Sequence, residues 1–126
     1  MTDASTDLAG PVDVATPPSL APVRGVVQGC EPGDYVDRRA HDADRNLAWT
    51  HGFGQDPERC LVVRVGQGVR WRGSLSTHPL DAEGGDLPNP IALHREGVVQ
   101  FERAGTFGYV CGAGHSGMQG AVHVAP

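Results

Sequence analysis

Strict alternation of apolar and polar side chains marks the second half of the chain. Leu61, Val63 and Val65 fall on one face of an extended segment, Val62 and Arg64 on the other. Val69 and Trp71 point one way, Arg70 and Arg72 the other. Val99 and Phe101 oppose Val98 and Gln100, and Phe107, Tyr109 and Cys111 oppose Thr106, Gly108 and Val110. A last short strand is Ala121 to Val124. A period of two over such short segments predicts half-buried β-strands. The breaks between them carry turn chemistry: Gly66 to Gly68, Ala82 to Gly85, Pro88 to Pro90, Ala104-Gly105 and Gly112 to Gly120. Asp34 to Asn46 is the one stretch that could form a helical turn, and its apolar residues are sparse. There is no internal repeat.

The pattern stops short of the N-terminus. Residues 1–24 are rich in Ala, Pro, Thr, Ser and Asp, with no aromatic residue and no period. Such a segment cannot bury enough apolar area to offset its ordering entropy, so it reads as a flexible, disordered tail or tether. Residues 25–126 form a body of about 100 residues, enough for one core. The 126 residues include 18 glycines and 10 prolines, a share that opposes a helical protein and favours short strands joined by turns. All ten basic residues are Arg, and the net charge is −5. An acidic chain without a basic cluster is a poor nucleic-acid ligand. No run approaches the roughly 18 apolar residues of a membrane span. No secretory signal is visible, so the protein is either cytosolic or has lost its signal segment.

Candidate chemistry concentrates near the C-terminus. In Cys111-Gly-Ala-Gly-His115-Ser-Gly-Met118 a thiol, an imidazole and a thioether lie within eight residues, where a strand pattern runs into a Gly-rich loop. That loop can fold back and bring the three side chains together. A second imidazole, His78, follows the Val69–Trp71 strand in Ser74-Leu-Ser-Thr-His78-Pro79-Leu80. Two His, one Cys and one Met form the ligand set of a trigonal copper site with a weak axial thioether. Taken singly, each residue has a plainer role: buried small hydrophobe, solvated polar group or core methionine. Together they point to a metal.

With these motifs the body resembles a small blue copper protein of the plastocyanin and azurin (cupredoxin) family. The matching stretches are Ala104 to Cys111, the loop through Met118, the closing Gly120 to Val124 strand, and Val69 through Leu80. The resemblance is good over roughly residues 59–126 and weak over 25–58. It implies a Greek-key β-sandwich and one type 1 copper ion held by His78, Cys111, His115 and Met118. It also implies a one-electron carrier serving a redox protein partner, with no catalysis on a bound substrate, because four protein ligands leave no open position. The expected carrier is a monomer in the periplasm or another extracytoplasmic space, with the tail as a tether. The His115 edge would be its electron port, rimmed by Ala113, Gly114, Gly117 and Leu80.

The chain departs from the family in two places. Three residues separate Cys111 from His115, where plastocyanin-like loops have two and azurin-like loops four. This spacing resembles the binuclear copper loop of cytochrome oxidase subunit II. That loop needs a further Cys where Phe107 stands, so the expected centre is mononuclear. Pro79 occupies a position where many family members carry an Asn that ties the ligand loops together, and proline offers no N–H.

Cys30 and Cys60 remain. In an exported domain such a pair is expected to form a disulfide; in a cytosolic one, two free thiols are the better reading. A zinc site is disfavoured by the spacing. His41 and His94 are expected in solvent, His51 near the site, and His123 on the outer face of the last strand. Arg70 and Arg72 form a solvated face. Two rival functions stay open: a copper-binding or copper-delivery module using the same ligands, and a metal-free sandwich for adhesion or display.

Overall fold

The computed structural model describes residue 23, residues 25–93 and residues 96–126. The tail assigned to residues 1–24, Val23 apart, and the loop position of His94 lie outside the described residues. Among the described residues eight strands form: β1 (Val36–Asp37), β2 (Asn46–Ala48), β3 (Cys60–Arg64), β4 (Gly68–Arg72), β5 (Leu80–Gly85), β6 (Val98–Gln100), β7 (Gly105–Cys111) and β8 (Gln119–Ala125). Among the described residues the helical elements are three 3₁₀ turns, at His51–Gln55, Pro57–Arg59 and Pro90–Leu93. The fold is all-β, with a five-stranded sheet in the order β1-β3-β8-β7-β5 and a three-stranded sheet in the order β2-β4-β6. β1 and β8 both run parallel to β3, and β2 runs parallel to β4.

Alternation explains the core. Leu61 and Val63 of β3, Phe107 and Tyr109 of β7, and Val122 and Val124 of β8 turn inward from the larger sheet. Leu47, Val69, Trp71 and Val99 meet them from the smaller one. Burying side chains of this size stabilises the fold by about 1.5–3 kcal/mol each. Arg70 and Arg72 face solvent, as their register predicts.

Three expectations change. Ala82 to Gly85 is the last four residues of β5 rather than a turn, and a register shift between Ala82 and Gly85 absorbs its glycines. Asp34 to Asn46 contains β1, turns and the first residue of β2, and no helical turn. His123 does point away from the main core, yet it is 2% exposed. The reason is an outer layer. The segment Val27 to Tyr35 lies over that face of the larger sheet, bringing Tyr35 edge-on to the His123 ring at 6.1 Å. The layer is pinned by a disulfide between Cys30 and Cys60, around which Val27 and Ala121 pack. Thr106 and His123 share a hydrogen bond of 2.7 Å at Nδ1 beneath the layer.

Candidate metal centre

The predicted ligands come from two loops at one end of the larger sheet. His78 precedes β5, Cys111 ends β7 and Met118 precedes β8. Leu80 pairs with Cys111, and Val110 with Gln119, so all three lie at the same end of the sheet. The first loop is set by Ser74, whose carbonyl accepts the His78 N–H at 2.9 Å and whose hydroxyl accepts the Thr77 N–H at 3.3 Å. Trp49 fixes it from below, donating its indole N–H to the His78 carbonyl at 2.8 Å. The second loop closes on itself. Cys111 N–H donates to the Met118 carbonyl at 2.8 Å and Met118 N–H to the His115 carbonyl at 3.3 Å. Gly117 turns the chain at φ +85°, a left-handed conformation that favours glycine.

The two loops are tied directly. Gly112 N–H donates to the carbonyl of Pro79 at 2.8 Å. Pro79 cannot donate the bond that an asparagine would, but its carbonyl accepts one in its place. Beneath the loops sits an aromatic floor of Trp49, Phe53, Trp71 and Tyr109, with ring centroids 5.0–6.0 Å apart. Burial pushes the Tyr109 hydroxyl well above its ordinary pKa, so it stays protonated and donates to the Arg59 carbonyl at 2.8 Å.

Above this floor three donor atoms face one another. Nδ1 of His78 lies 2.9 Å from Nδ1 of His115. The Cys111 sulfur is 3.3 Å from Nδ1 of His115 and 3.7 Å from Nδ1 of His78. Cys111 and His78 are buried and His115 is half-buried. Cys111 is the one free cysteine. Met118 is 1% exposed and packs in the same core cluster as Cys111. His51, expected only to pack nearby, joins the group: its ring centroid is 4.7 Å from that of His78 and 4.6 Å from that of His115.

The chain matches no protein-family model, no curated protein and no solved structure. Its chemistry therefore rests on these side chains. Two imidazole nitrogens and a sulfur that converge are a donor set for a borderline or soft transition metal; hard cations take oxygen ligands. Loss of water around the His78 ring, with His115 and His51 close by, lowers its pKa from the usual 6.5. A neutral imidazole is the form that ligates.

The same shift fixes a pH dependence. The unfolded chain takes up this proton more readily than the folded one, so stability is full above about 6.5 and falls as pH drops toward the lowered value. Urea unfolding of metal-free protein on both sides of that pH is expected to show the loss, with a smaller loss in His78→Asn. An equal loss in the two proteins would place the effect elsewhere.

Proposed function

We propose that residues 25–126 form a cupredoxin-like Greek-key sandwich that binds one copper ion in a mononuclear type 1 site and carries single electrons between redox partners. The observation that carries this reading is the convergence of His78 Nδ1, His115 Nδ1 and Cys111 Sγ within 3.7 Å of one another. Cys111 would bind as thiolate, His78 and His115 as neutral imidazoles and Met118 as the weak axial ligand. Bound copper would supply the Cu(II)/Cu(I) couple. The protein's part is to hold the donors still. The Trp49–His78 bond, the Pro79–Gly112 tie and the aromatic floor all resist movement of the ligand loops, so little rearrangement accompanies a change of charge. His115 is the half-buried ligand, and its edge is the natural port for a partner that docks briefly. The Cys30–Cys60 disulfide supports an oxidising compartment, the periplasm or another extracytoplasmic space. No described helix is long and apolar enough to cross a membrane.

Copper titration of the full chain, followed by visible absorption, tests the reading. An intense thiolate-to-copper band saturating at one equivalent is expected in the wild type and is expected to vanish in Cys111→Ala. Absence of the band from the wild type would remove the electron-carrier function.

A further inference from the structure

His51 is not part of the copper set proposed above, yet it stands as close to His78 and His115 as they stand to each other. The three ring centroids are 4.7, 4.6 and 4.5 Å apart, nearly an equilateral triangle. The interplanar angles are 87°, 68° and 67°, so the rings meet edge to face around a common centre. One donor nitrogen from each lies within 4.8 Å of the other two.

This placement is built by the fold. His51 opens the 3₁₀ turn His51–Gln55, which is anchored by Phe53, 1% exposed, against Trp49 and Tyr109. The turn also presses on the ligand loop. A Cβ placed on Gly54 would come within 2.8 Å of the Gly117 carbonyl oxygen, a contact that only glycine avoids. The backbone carrying His51 is thus fixed against the loop carrying His115, although the His51 side chain is exposed.

We propose that His51, His78 and His115 form a three-imidazole site on the solvent side of the cluster that binds a borderline divalent cation, with zinc(II) as the defining case, without using Cys111 or Met118. Zinc takes imidazole nitrogens at about 2.0–2.1 Å, which at tetrahedral angles spaces them about 3.4 Å apart. His78 Nδ1 and His115 Nδ1, now 2.9 Å apart, need part by only roughly half an ångström to meet that spacing. Where the Cys111 sulfur, 3.3 and 3.7 Å from these two nitrogens, is removed, three protein nitrogens leave a fourth position open to water. The exposed ring of His51 meets an ion from solvent first, and the buried ring of His78 holds it from within. The site shares two residues with the copper centre, so the two modes exclude each other, but it does not depend on the thiolate.

Calorimetric titration of the full, metal-free chain with zinc(II) tests the proposal in a Cys111→Ala background. One equivalent is expected to bind. Adding His51→Ala is expected to weaken binding by roughly 10-fold or more, the range seen when a mere partner of a ligand is lost. His51 is exposed, so its removal leaves the core untouched, and adding His41→Ala is expected to leave the affinity unchanged. Failure of Cys111→Ala to bind zinc, equal affinity with and without His51, or an equal loss on removing His41 would each overturn the site. The copper reading is judged separately, by the thiolate band of the wild type.

Discussion

Trp49→Ala is expected to be among the most damaging single substitutions in the chain, at about 3–5 kcal/mol. Trp49 is fully buried and packs against Phe53 and Tyr109 at 5.1 and 5.7 Å. Truncation opens a large cavity under the ligand loops. It also removes the donor to the His78 carbonyl. Trp49→Phe separates the two effects. It keeps most of the aromatic volume but strands a buried carbonyl, a loss of about 1–3 kcal/mol. Urea denaturation gives the energies, and the NMR linewidth of the His78 ring protons reports its positioning. Both variants should broaden those signals. Sharp signals in Trp49→Phe would show that the indole N–H does not position the histidine.

Removal of the disulfide in Cys30→Ala/Cys60→Ala should destabilise the protein by about 3.5 kcal/mol in the chain-entropy model, given the sequence separation of 30 between the two cysteines. The effect should be local as well as global. The bond holds the outer layer over Ala121 and His123, both of which are 2% exposed or less. Hydrogen exchange is therefore expected to rise first in β1 and in the β3–β8 pairing, while β4 and β6 keep their protection. Uniform acceleration across both sheets would mean that the layer and the core unfold as one.

Much of this architecture was legible in the sequence. β3, β4, β6, β7 and β8 each carry an apolar face with a period of two, and the structure places them within a residue or two of the expected bounds. β5 was invisible for a physical reason. Leu80 to Gly85 holds no β-branched or aromatic residue; its conformation comes from backbone pairing with Tyr109, Val110 and Cys111. β1 and β2, of two and three residues, are too short to show any period. The outer layer left no trace in the alternation of β8, because burial of His123 depends on a distant segment. That His78, Cys111 and His115 come together was readable from residue type and loop chemistry. The place of His51 in the triangle was not, since it follows from the Gly54–Gly117 approach.

The position of β8 also constrains how the molecule comes into being. It is the last strand in chain order but lies at the centre of the larger sheet, between β3 and β7. Until Gln119–Ala125 has left the ribosome, β3 and β7 have no common neighbour and the five-stranded sheet cannot close. Pairing of β3 with β8 across so long a stretch of chain also makes for slow closure. The sheet, and with it the convergence of His78, Cys111 and His115 at its end, is therefore completed only once β8 has paired on both sides.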